Sequence, residues 1–264
     1  MLYVQNDAHY LFAVKSHTMT TQEFIEADKA LRDDWFASYG QPDIDFVYDG
    51  ATDPEKWLSS PWRIMCLLKE AHGGGQYNHA EYILKDNGLL RVGGTAKQDT
   101  HNRMIEWIYS IEATLMGTPF DVEGDRSLDY PKARLTMLRS AWVNIKKANG
   151  VPYSDGRDLY EVAKRDAAYL RRQMALLDPK IVLCGYTFGI VRDTLFPDAE
   201  RITGTEFSYR THGGRIILDY YHPGRKSRES YRQLIAEVEK VRANLVTGRE
   251  RAPDGEPPGA GDAG

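Results

Sequence analysis

Residues 62–75 read WRIMCLLKEAHGGG. The apolar run Ile64-Met65-Cys66-Leu67-Leu68 is too short to cross a membrane and has no polar face. It reads as a strand buried on both sides, hence as part of a parallel sheet covered by helices. The run stops at Lys69, Glu70 and His72, and three glycines follow. In open α/β sheets, polar residues just past the carboxyl end of a strand line the ligand crevice. Glycines at that place let the backbone come close to a ligand. A strand followed by a plain surface turn has the same local pattern. The crevice is favoured because three later apolar runs also end in polar clusters.

On the amino-terminal side, Thr20 and Glu23 fit a capping box. A helix is expected from about Thr21 to Ser38, with Phe24, Ile25, Leu31, Trp35 and Phe36 partly following a helical stripe. Gln41 to Pro61 reads as irregular chain packed on the domain. On the carboxyl side, short helices are expected over 77–85 and 131–140, with an extended piece over 89–94 between them. A clearer helix covers 101–116, stopped by Gly117 and Pro119. Ala141 to Ile145 is the second strand and opens into Lys146-Lys147. A long amphipathic helix over 158–177 precedes the third strand, 180–185, and a helix over 186–195 follows it. A small edge strand is expected over 202–209. The fourth main strand, 215–221, leads into His222 and a last helix ending near Leu245.

Strands that alternate with helices imply an α/β fold. The expected architecture is a three-layer α/β/α sandwich with a central, mainly parallel four-stranded sheet. It forms a single domain over residues 1–247, of which 1–61 is an amino-terminal extension. Residues 248–264, rich in Gly, Pro and charge, read as a disordered tail.

With 264 residues, 42% of them hydrophobic, the chain can bury a sizeable core. The formal net charge is -4, so any nucleic-acid contact needs a local basic patch. Cys66 and Cys184 sit inside apolar runs and read as buried reduced thiols, too few to ligate an iron–sulfur cluster. No signal peptide or membrane-length apolar run is visible, so the expected setting is the cytoplasm, without a membrane partner.

The four strand ends bring Glu70 and His72, Asn144, Gly185 and His222 to one edge of the sheet. At this edge the sequence resembles the uracil-DNA glycosylase superfamily, over roughly residues 62–240. Lys69-Glu70-Ala71-His72-Gly73 resembles the first motif, Gly-Glu-Ala-Pro-Gly in several branches. Val143-Asn144-Ile145-Lys146-Lys147 is similar to the middle motif, Thr-Asn-hydrophobic-Val-Lys. Asp178 to Gly185 resembles the stretch leading into the third strand, and Tyr221-His222-Pro223-Gly224 the His-Pro-Ser motif.

The resemblance implies a monofunctional DNA glycosylase. Such an enzyme flips a pyrimidine-type base and hydrolyses its N-glycosidic bond, leaving an abasic site. His222 would stabilise charge developing on the departing base. Asn144 would pair with the base edge, as uracil or, after reorientation, as cytosine. The plain structural alternatives are a helix-start histidine and a strand-end cap. The water-activating aspartate of the best-known branch is replaced by Ala71, so Glu70, His72, Gln76 and Asn78 become the candidates to orient water. The stacking position falls near Arg91, and the wall beside C5 of the base falls near Gly73. An open C5 side implies a C5-modified pyrimidine, such as hydroxymethylated or glucosylated cytosine of bacteriophage DNA. Lys146, Lys147, Arg225, Lys226 and Arg228 would supply the basic rim for DNA. No metal or organic cofactor is expected, and the chain is expected to act as a monomer. Two rivals remain: a non-catalytic nucleic-acid binding module of the same fold, and a nucleoside or nucleotide hydrolase.

Overall fold

The computed structural model describes residues 19–70, 76–85, 100–119, 128–148, 155–222 and 228–249. The fold is mixed α/β around a mostly parallel sheet. The amino-terminal part opens with α1 (Thr21–Ser38), where Thr20 and Glu23 form the expected capping box. Phe24, Leu31 and Trp35 are its buried stripe. The stretch expected to be irregular instead holds three short elements: β1 (Val47–Tyr48), β2 (Gly50–Ala51) and α2 (Pro54–Leu58). Asp53 caps α2, and Pro54 sits where a missing N–H costs nothing.

The apolar run forms β3 (Ile64–Glu70). After it come β4 (Tyr77–Asn78), α3 (His79–Leu84), α4 (Thr100–Leu115), α5 (Tyr130–Leu138) and β5 (Ala141–Lys146). The single long helix expected over 158–177 is two: α6 (Gly156–Arg165) and α7 (Ala167–Leu177). They break at Asp166, whose buried carboxylate accepts from Tyr39 Oη at 2.8 Å and from the Arg165 guanidinium. The chain continues through β6 (Ile181–Gly185), α8 (Phe188–Leu195), β7 (Glu200–Arg201), β8 (Ser208–Arg210), β9 (Ile216–Tyr220) and α9 (Arg228–Arg249). No helix among the described residues is long and apolar enough to cross a membrane.

The sheet has seven strands rather than four, in the order β2-β5-β3-β6-β9-β8-β7. The four expected main strands, β5, β3, β6 and β9, run parallel at its centre. The additional strands, β2, β8 and β7, are two or three residues long and join antiparallel at the edges. Short edges of this kind limit unwanted strand pairing. A separate parallel pair joins β1 to β4.

Side chains alternate across the sheet. Ile64, Cys66 and Leu68 pack with α4, α5 and α9 on one face. Met65, Leu67 and Cys184 pack with α1, α7 and α8 on the other. Both cysteines are fully buried, and burial pushes both thiols well above their ordinary pKa.

A buried polar cluster fastens the segment before β3 to this apolar frame. Asp49, between β1 and β2, has no exposed surface. Its Oδ2 accepts from the Asn144 backbone N–H at 2.7 Å and from Asn144 Nδ2 at 3.0 Å. Its Oδ1 meets Lys147 Nζ in a buried ion pair. Gln173 Nε2 donates to the Asp49 carbonyl at 2.7 Å, and Lys147 Nζ donates to Gln173 Oε1 at 3.1 Å. Lys147 Nζ also lies 4.8 Å from the centre of the Trp35 ring. Breaking such a pair from one side strands a buried charge. We therefore expect Lys147→Met and Asp49→Asn each to cost about 3–5 kcal/mol in urea unfolding. The double variant should cost clearly less than their sum, and additive losses would show that the two groups are not coupled.

Candidate functional site

The parallel register decides which residues meet at the carboxyl ends of the central strands. Glu70 on β3 pairs in register with Lys146 on β5. Gly185 ends β6 beside Tyr220 on β9, and His222 follows two residues later, half-buried. A Cβ at Gly185 would lie 2.9 Å from Leu68 Cδ2 and 3.8 Å from the His222 Cα. The bare glycine is what lets these strand ends close up.

The Glu70 side chain is 2% exposed. Its Oε2 lies 3.6 Å from Lys146 Nζ, and its Oε1 has no hydrogen-bond partner. A buried acceptor left open is costly in a folded protein. Lys146 Nζ also donates to Asp158 Oδ2 at 2.7 Å. Burial pulls the Lys146 pKa down, but Asp158 and Glu70 outweigh it and hold the ammonium above its ordinary value. Lys146 is therefore charged, and it is shared between two carboxylates rather than presented whole to a phosphate.

Asn144 is 3% exposed and makes one side-chain hydrogen bond, from Nδ2 to Asp49. A carboxylate only accepts, so it dictates which end of the amide faces it. Oδ1 and the second N–H face elsewhere in a fixed order. The reorientation that would let one Asn read either pyrimidine class is blocked.

Asn144 and Trp142 point to the same face of β5, two residues apart. Against Trp142 lie two histidines that sequence reading did not single out. His101 stacks on it at 5.4 Å, and His79 meets it edge-on at 6.3 Å. His79 and His101 are 5.9 Å apart. His79 is 8% exposed, and its Nδ1 has no hydrogen-bond partner. Burial lowers its pKa from 6.5 to about 4, with Asp49 pulling the other way, so the ring is neutral at neutral pH.

Other expected residues are placed differently. Lys147 is fully buried against Asp49 and cannot contact DNA. Asn78 is spent as the cap of α3: its Oδ1 accepts from the Ala80 and Glu81 N–H groups, and its Nδ2 donates to Glu81 Oε1. Gln76 Nε2 donates to the carbonyls of Pro42 and Ile44, each at 3.0 Å. Both amides line a cleft of about 270 Å³ with Arg32, Phe36 and Tyr48 of the extension. Arg228 opens α9. His72, Gly73, Arg91, Arg225 and Lys226 lie outside the described residues. No group of three or more His, Cys, Asp or Glu fit to hold a metal ion occurs among the described residues. The sequence matches no family model, and no curated protein matches it.

The His79 environment has a measurable sign. Its folded pKa lies below the ordinary 6.5, so stability is complete above pH 6.5 and lost as pH falls through about 4. That difference amounts to on the order of 3 kcal/mol. The stability advantage of wild type over His79→Gln should therefore shrink across that window in urea titrations. Asp28 is the opposite case: burial raises its carboxyl from 3.8 to about 6, against a hydrogen bond from Tyr48. Acidification from pH 6 to 3.8 relieves that cost, so wild type should gain on Asp28→Asn there. Difference curves of the same sign for both variants would contradict these environments.

Proposed function

We propose that this chain is a DNA glycosylase of the uracil-DNA glycosylase kind, a three-layer α/β/α sandwich with β5, β3, β6 and β9 as its four central strands. It extrudes a pyrimidine-type nucleotide and hydrolyses the bond from C1′ to the base. The observation that carries this reading is the Asn144 carboxamide, fixed by Asp49 with Oδ1 and one N–H left over. Such a pair matches the donor–acceptor edge of a pyrimidine.

The other roles follow from position. The open Oε1 of Glu70 receives a proton of the attacking water, whose oxygen bonds to C1′. The electron pair of the broken bond leaves with the base, and His222, after β9, donates to the oxygen that gathers this charge. A fixed amide reads one edge order only, so uracil-type and cytosine-type bases exclude each other as substrates. Bulky C5 substituents remain the proposed feature of the base, following the resemblance at Gly73. The rival binding module draws support from Ala71, which cannot activate water.

Released base is to be measured by mass spectrometry on duplexes carrying cytosine, uracil, and the hydroxymethylated and glucosylated forms. Wild type should act on one class only. His222→Ala should lower the rate about 100- to 1000-fold. Glu70→Gln should lower it about 100- to 10000-fold. His222→Ala should keep the wild-type melting temperature, and Glu70→Gln, which loses a buried partner of Lys146, should stay folded by circular dichroism at the assay temperature. Release from free nucleosides without DNA would select the hydrolase instead, and no release from any substrate would leave the binding module.

A further inference from the structure

The cleft between the extension and β4 takes no part in the chemistry above. Its volume is about 270 Å³, and Glu70, Asn144 and His222 are not among the residues that line it. Helix α1 supplies Arg32 and Phe36, β1 and its approach supply Phe46 and Tyr48, and β4 and its approach supply Gln76 and Tyr77. Helix α1 covers the Met65–Leu67 face of the sheet, whereas Glu70 shares the face of Leu68. Phe46 and Tyr48 are buried and make an aromatic floor, with rings 6.4 Å apart and 17° from parallel. Phe36 meets Phe46 edge-on at 5.5 Å. Phe36 and Tyr77 are half-buried, so both keep accessible ring surface.

Two polar groups of this cleft have unused capacity. The Arg32 guanidinium lies 5.8 Å from the centre of the Tyr48 ring. Its Nε meets Asp33 Oδ1 at 3.4 Å, and its two terminal nitrogens have no hydrogen-bond partner among the described residues. Asp33 also lines the cleft, but Lys29 Nζ, 2.6 Å away, takes up its charge. Two free nitrogens on one guanidinium form the fork that suits a phosphate. Gln76 Nε2 is used up on the carbonyls of Pro42 and Ile44. Those bonds fix the direction of the amide, and its Oε1 remains an acceptor without a partner among the described residues.

We propose that this cleft binds a free nucleoside monophosphate whose base carries an amino group, with cytidine monophosphate the best fit. The site stands apart from the function proposed above. The aromatic faces take a planar ring. Arg32 meets the phosphate, and Gln76 Oε1 accepts from the amino group. A uracil ring would turn a carbonyl toward Oε1 instead, setting two acceptors against each other. Pockets for drug-sized ligands span about 300–1,000 Å³. This cleft lies just below that range, which suits a single nucleotide with a one-ring base rather than a strand.

The test is isothermal titration calorimetry of the full chain with cytidine monophosphate, uridine monophosphate, cytidine and inorganic phosphate. Cytidine monophosphate should bind most tightly of the four. Uridine monophosphate should bind about 2- to 10-fold more weakly, the loss of one neutral hydrogen bond. Arg32→Met keeps a side chain over Tyr48 without the fork. It should stay folded by circular dichroism and bind cytidine monophosphate roughly 10- to 100-fold more weakly. Arg32→Lys keeps the charge without the fork and should show a smaller loss. His222→Ala should bind the nucleotide as wild type does. No binding of cytidine monophosphate at millimolar concentration, or unchanged binding by both Arg32 variants, would overturn the site. Equal affinity for uridine monophosphate would overturn the assignment of the base. Loss of binding in His222→Ala alone would move the nucleotide to the strand ends. Displacement by oligodeoxycytidylate would give the cleft to a DNA strand, and the free-nucleotide site would fall. Base release from DNA is read separately. Its absence leaves the cleft standing, and its persistence in a chain that binds no nucleotide leaves the glycosylase standing.

Discussion

The buried pair of Asp49 and Lys147 is the constraint on which the arrangement of this edge depends. Neither group has any exposed surface, so each is tolerable only while the other is in place. The carboxylate also completes the backbone of β5, where β2 is too short to reach Asn144. One side chain therefore fastens the amino-terminal segment to the sheet, compensates a buried ammonium and sets the direction of an amide. Gln173 on α7 ties a third part of the chain to the same carboxylate. The segment before β3 is thus built into the sheet, and a change at Asp49 is transmitted to Asn144 without passing through solvent.

Buried polarity is distributed unevenly around this edge. The carboxylate of Asp49 is saturated, with both oxygens taken. Glu70 keeps one oxygen open, and His79 keeps one ring nitrogen open. Saturated groups hold a structure, whereas open ones retain capacity for a ligand. The contrast separates the residues that brace the edge from those that keep bonding capacity there.

Much of the frame was legible in the chain. The run 64–68 has no polar face, and only a strand covered on both sides suits it. The Thr20–Glu23 box and the four main strands were readable for the same local reasons. What escaped reading is long-range. Asp49 lies in a stretch without periodicity, and its partners come 95 and 98 residues later. Lys147 reads as a surface cation, because nothing nearby in sequence compensates it. His79 and His101 share no spacing, and only the packing of α3 and α4 brings them to Trp142. The break at Asp166 was hidden because the apolar stripe runs through both helices, whereas the partner that stabilises the break, Tyr39, is 127 residues away. The short edge strands leave too few residues to show alternation. The places of Glu70 at the end of β3 and of His222 after β9 were legible because each closes an apolar run, whereas Asn144 lies inside β5. The capping role of Asn78 was overlooked, although an Asn before a helix is a common cap.

Cys66 and Cys184 lie on adjacent parallel strands and face opposite layers. Their thiols cannot meet, and neither becomes a reactive thiolate while its layer stays closed. Each is thus a chemical clock for a different half of the molecule. An alkylating reagent reaches Cys66 only when the α4–α9 side parts from the sheet, and Cys184 only when the α1–α7 side does. The chain carries two native reporters that distinguish the peeling of one layer from the loss of the whole fold.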